Sequence, residues 1–191
     1  MAPHASLEQA LPTVEFYEDS ANPPLTEEEF SLALSEHFSN LEENDPPRVY
    51  GMKLLFAALS DILHRYADVS FNAPHIKGAC RLSATLFTEA LCLLCEEARA
   101  VSAVPQIATV ESREGVTFTV TVGALPIPEC RLALLRRTLT SAGCTLIYDG
   151  NASVFRFVLP FFHAGETVLQ AGTSALYLAI NRFYLLLQRR P

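Results

Sequence analysis

Apolar residues first fall into step at Phe30, Leu34, Phe38 and Leu41, which share one face at helical spacing. Just upstream, Thr26 with Glu29 three residues on forms a capping box, and Leu25 with Phe30 suits a hydrophobic staple. Asp45-Pro46-Pro47 ends the pattern, because proline lacks a donor and disfavours helix in the residue before it. Met52, Leu55, Phe56, Leu59, Ile62 and Leu63 then keep helical spacing, which predicts a second helix over about 49–67. Two helices joined by a short proline turn read as a helical hairpin.

The period then changes. "DVSFNAP" reads as a short strand stopped by Pro74, and 77–102 as one long amphipathic helix. "QIATVES" and "GVTFTVTVG" alternate apolar and polar around Arg113-Glu114-Gly115, a hairpin signature. A helix over about 129–142 stops at Gly143. "CTLIYD" and "SVFRFVLPF" form a second hairpin around Gly150-Asn151. The last helix, about 166–188, is apolar on nearly every side from Ala175 onward, which suits burial against a sheet or another chain. The order predicts an α/β fold, an α+β two-layer sandwich with a mixed sheet and helices on one face, preceded by the helical hairpin. Four parts follow: a loosely ordered acidic leader (1–24), the hairpin as a dimerisation element (25–67), the sheet domain (68–162), and an apolar C-terminal helix on the sheet or at a dimer contact (163–191).

Half of the 191 residues are apolar and 18% are charged, enough to bury a sizeable core. The net charge of −7 is uneven: residues 1–47 hold eleven acids and no Lys or Arg. That leader argues against nucleic-acid binding. The start has no basic stretch followed by an apolar one, so no signal peptide is expected. The most hydrophobic run, 175–187, contains Asn181 and Arg182 and is too short for membrane insertion. A cytoplasmic protein with reduced thiols is expected from five cysteines, an odd number. The C-x-x-C pair Cys92 and Cys95 sits in an apolar run and reads as buried packing. No Ser-His-Asp order, phosphate loop or zinc-ligand cluster appears, so neither cofactor nor metal is expected.

From Asp68 to Phe161 the sequence resembles the ATP-binding domain of sensor histidine kinases and their GHKL relatives. "VSFNAP…CRLSATLFTEALCLLCEEARAVS" resembles the first strand and the N-box helix. "PQIATVESREGVTFTVTVGALPIP" resembles the hairpin leading into the first glycine box, usually Asp-x-Gly-x-Gly-Ile-Pro. "LALLRRTLTSAGCTLIYDGNASVFRFVLPF" resembles the closing helix and hairpin. The resemblance implies a nucleotide site, and the departures fall on it. The N-box Asn, which helps hold magnesium in the family, aligns with Glu97; the glycine-box Asp, which accepts from adenine, aligns with Val122. The two glycines align with Ala124 and Pro126, and between Pro128 and the next helix there is no room for an ATP lid. The resemblance therefore implies a degenerate, non-ATP-binding site.

A helical hairpin before such a domain is similar to the sporulation-type histidine phosphotransferases, whose paired hairpins present a phosphoaccepting His to a response regulator. His37 is the candidate here: "HFSN" distantly resembles the Pro-His-Phe-x-x-Asn site of one kinase class, with Glu36 in place of Pro. His64, with Asp61 one turn earlier, is weaker; His75 and His163 lie in loops and are set aside. The leading reading is a regulatory or adaptor protein related to bacterial two-component signalling. It would act by binding a response regulator or other signalling protein, as a homodimer. The alternative is a phosphotransferase using His37. A third reading, an ATPase with an atypical pocket, requires polar groups between the N-box-like helix and the hairpin.

Overall fold

The computed structural model describes residues 23–66, 70–72, 78–100, 104–122, 127–149, 154–162, 168–169 and 173–191. The acidic leader, 1–24, therefore lies almost wholly outside the described residues.

Helix α1 (Glu27–Asn44) opens with the expected capping box, Thr26 and Glu29 bonding reciprocally. Past Pro47 the chain does not enter a helix at once. Strand β1 (Arg48–Gly51) comes first, then helix α2 (Met52–Tyr66). The helical spacing of α2 was legible, but Val49 and Tyr50 favour extended backbone and Gly51 is a poor helix former. Pairing decides it: β1 runs antiparallel to β3 (Ala79–Leu82), and Val49 and Gly51 also bond the backbone of Leu169. Strand β3 occupies what periodicity read as the first turns of a long helix. Ser83 ends it and starts α3 (Ala84–Ala100): its Oγ accepts the Leu86 N–H at 3.3 Å. Asp45, at the end of α1, accepts from the Ser83 hydroxyl at 2.6 Å and the Thr85 N–H at 3.3 Å.

The main sheet contains β2 (Ser70–Asn72), β4 (Gln106–Glu111), β5 (Gly115–Thr121), β7 (Val154–Pro160) and β6 (Thr145–Asp149), in that spatial order. Strand β2 is parallel to β4 and the other pairings are antiparallel, so the sheet is mixed, and both expected hairpins form. Gly115 is dictated by the sheet, because a Cβ there would stand 2.4 Å from the Leu159 carbonyl oxygen. One face carries Val116, Phe118 and Val120 of β5 with Phe155, Phe157 and Leu159 of β7, all buried. Phe118 stacks on Phe157 at 4.9 Å and meets Phe56 of α2 and Phe87 of α3. The other face carries Thr117, Thr119, Thr121, Arg156 and Val158, which are half-buried or exposed.

Helices cover the buried face in two tiers. Helix α4 (Glu129–Ser141) packs beside α3 and on β6. Above them, α1 lies on α3 and α4 through Phe30, Leu34 and Phe38, and α5 (Thr173–Leu187) lies on α3 and α2 through Leu176, Ile180, Phe183 and Leu187. Helix α3, expected to be amphipathic, is instead enclosed, with thirteen of its seventeen residues buried. Two of its three acids, Glu89 and Glu97, are therefore inside, and both have partners (below).

Gly143 ends α4 as expected, at φ +104°, where a Cβ would also press to 2.6 Å from the Arg81 carbonyl oxygen. Gly143→Ala should therefore lose more than about 1 kcal/mol, since alanine there adds strain to contact. Urea unfolding checks this; an unchanged midpoint would show the turn to be relaxed.

Candidate functional site

Glu97, which the resemblance sets at the place of a magnesium-holding asparagine, stands in a polar centre built from four described segments. Glu97 lies near the C-terminus of α3, buried. Its Oε1 accepts from Arg131 Nη1 at 2.6 Å and its Oε2 from Arg190 Nη2 at 3.2 Å. Arg131 belongs to the first turns of α4, with only 5% of its side chain exposed; its Nη2 donates to Glu27 at the start of α1, and its guanidinium lies 5.9 Å from the centre of the Phe30 ring. Arg190 also donates to the Glu96 carbonyl at 3.1 Å. Four segments thus meet through two acids and two arginines. Burial works against the Arg131 charge, but its hydrogen bonds to the carboxylates of Glu97 and Glu27 and their negative charge outweigh it and hold its pKa above the ordinary guanidinium value. A divalent cation placed on Glu97 would face two guanidinium groups, the reverse of what magnesium binding needs.

Val122, which the resemblance sets at the adenine-reading position, is 3% exposed and continues the inward series of β5 into the core. A valine side chain has no atom there that could accept a hydrogen bond. Ala124 and Pro126, the aligned glycine positions, lie outside the described residues. Ile127 and Leu134 pack partly against the same core. Further along α4, Arg137 crosses to α1, donating to Ser39 at 2.7 Å and to both oxygens of Glu42. Helix α1 is thereby fastened along α4, over an open groove lined by Ser31, Ser35, Cys130 and Arg137.

His37 sits in the seam between α1, α3 and α5. Its Nε2 is 2.6 Å from Oε2 of Glu89, and its ring stacks on Phe183 with centroids 5.2 Å apart. The His37 side chain is 27% exposed and the Glu89 side chain 1%. Burial raises the Glu89 pKa above the ordinary carboxyl value, and the bond to His37 opposes that rise. His64 is exposed on α2. His75 and His163 lie outside the described residues. Cys92 and Cys95 are both buried: burial raises the Cys92 thiol well above its ordinary value and pushes Cys95 to about 12, so neither is a thiolate nucleophile at neutral pH. No group of three or more His, Cys, Asp or Glu among the described residues could hold a metal ion. No helix among them is long and apolar enough to cross a membrane.

Sequence reasoning singled out Glu97 and His37 but missed their partners. Glu89 had a signal, a lone acid inside the apolar run "LFTEALCLLC". Arg131, Arg190 and Asp45 had none, because each acts across more than thirty residues of chain.

No family model matches the chain, and no curated protein sequence does. Solved structures similar to it include a histidine kinase, AdeS, from Acinetobacter baumannii: 13% identity, TM-score 0.49, over 68% of this chain and 75% of that one. The ATP-binding domain of PrrB from Mycobacterium tuberculosis is 19% identical, with a TM-score of 0.43, over 63% of this chain and all of that one. The histidine kinase ThkA, in complex with the response regulator TrrA, is 17% identical, with a TM-score of 0.48, over 69% of this chain and 48% of that one.

Proposed function

We infer that this chain is a regulatory or adaptor protein related to bacterial two-component signalling, and that it acts by binding a response regulator or another signalling protein without binding ATP. The observation that carries this reading is Glu97 with both carboxylate oxygens committed to Arg131 and Arg190. A triphosphate and its magnesium need an oxygen or amide ligand free to turn toward the metal. Here the aligned residue is neutralised from two sides, and α1 lies on the helices that carry it. Val122 in the core and the missing lid segment support the same conclusion. His37 serves in this reading as a tie between helices, with its Nε2 committed to Glu89 and its ring to Phe183.

Isothermal titration of the folded chain with ATP and magnesium should give no heat of binding at millimolar nucleotide. Micromolar affinity would sink the reading, because nucleotide would then have to displace an arginine from Glu97. Incubation with a phosphorylated response regulator should leave the chain unlabelled, in wild type and His37→Ala alike. Label that appears in wild type and vanishes in His37→Ala would instead establish phosphotransfer.

A further inference from the structure

Helices α1 and α5 rest their inner faces on the same helix, α3, so their outer faces look the same way. They lie side by side: His37 stacks on Phe183, and towards the other end the Leu25 N–H donates to the Arg189 carbonyl at 2.8 Å. Residue numbers rise along one helix as they fall along the other, so the two are antiparallel. Their outer surfaces carry opposite charge. On α1, Glu29, Glu36 and Glu43 are exposed around Leu32, which is 60% exposed. On α5, Arg182 is exposed between Leu178 and Leu185, at 60% and 54%. Among the described residues no acid forms an ion pair with Arg182.

We propose that the outer faces of α1 and α5 bind a second copy of this chain through a two-fold axis running along the helices, with Glu36 of one copy facing Arg182 of the other. A two-fold contact uses one patch twice, so the patch must complement itself. Only two two-fold axes lie in the plane of this layer along its natural directions. An axis across the helices sets α1 on α1 and opposes acid to acid. An axis along the helices sets α1 of one copy on α5 of the other, apolar on apolar and acid on base. Rotation about that axis preserves height along the helices. Since His37 and Phe183 share a level within one chain, Glu36 of one copy comes level with Arg182 of the other. Helices of this length run about 25 Å and neighbouring axes stand about 8–10 Å apart. The patch is thus smaller than the roughly 800 Å² per partner of a standard interface, which places the dimer among weak ones with micromolar dissociation constants. This inference is independent of the nucleotide reading.

Size-exclusion light scattering across a dilution series tests it. Wild type should run as a dimer at about 100 µM and fall apart as it is diluted through about 1 µM. Arg182→Glu alone and Glu36→Arg alone should each be monomers, since each opposes like charges twice in its own homodimer. Mixing the two variants should restore a dimer, because both cross-contacts are then acid to base. Both sites are exposed, and circular dichroism should show each variant folded. A wild-type monomer at the highest concentration overturns the proposal, as does a variant that stays dimeric or a mixture that stays monomeric.

Discussion

Arg131→Ala should be the most damaging single change at the polar centre, lowering stability by about 3 kcal/mol or more. The side chain is nearly buried, and its removal strips Glu97 of its shorter bond while leaving the carboxylate inside the protein. Arg190 keeps one oxygen satisfied, which holds the loss at the lower end of what a broken buried pair costs. Packing over Phe30 is lost as well. Urea unfolding followed by circular dichroism would read the change as a shift in midpoint at constant slope. The paired variant Arg131→Met with Glu97→Gln should recover much of the loss, because burying two apolar or neutral groups avoids the cost of dehydrating charge. A loss below about 1 kcal/mol for Arg131→Ala would mean that the pair behaves as an exposed one.

His37→Ala should cost about 2 kcal/mol, the penalty for leaving a buried carboxyl without its partner. Adding Glu89→Leu should restore most of it, since an apolar side chain of similar size needs no partner among Phe38, Phe183 and the α3 core. A double variant no better than the single would assign the loss to the ring's packing on Phe183. Glu89 also carries a pH signature. Its native pKa stands above the ordinary carboxyl value, chiefly because of burial. Such a group favours the folded state below its unfolded pKa of about 4.3, and that contribution is lost as pH rises through the native value. Each unit of elevation is worth about 1.4 kcal/mol. Glu89→Gln should therefore gain stability relative to wild type between pH 4 and pH 7. A difference that stays level across this range would contradict the raised pKa.

What could be read from the residues was whatever depended on local period and punctuation. The capping box at Thr26, the alternation of "GVTFTVTV" and the stop at Gly143 all act within a few residues, and all appear where expected. The two strands that were missed are four residues long and exist because they pair with each other. Four residues carry too little periodicity to outvote the helices they adjoin, so β1 and β3 were absorbed into α2 and α3. The enclosure of α3 was hidden for a related reason: a helix wrapped on one side by a sheet and on the other by α1 and α5 shows only as an unusually apolar run. At the candidate site, Glu97 and Val122 could be singled out because both lie within segments with a recognisable local pattern. The arginines that close on Glu97 come from α4 and from beyond α5, and no spacing rule links residues 97, 131 and 190.

The hydrogen bond from Leu25 to Arg189 gives the chain a mechanical character. Two points 164 residues apart in sequence are held within one bond of each other, beside the Glu97 arginines. A load pulling these two points apart would bear first on that bond and on the seam between α1 and α5. The five strands lie out of the line of force until the seam has parted. Tension would therefore peel the outer helices from α3 while the five-stranded sheet beneath is still intact.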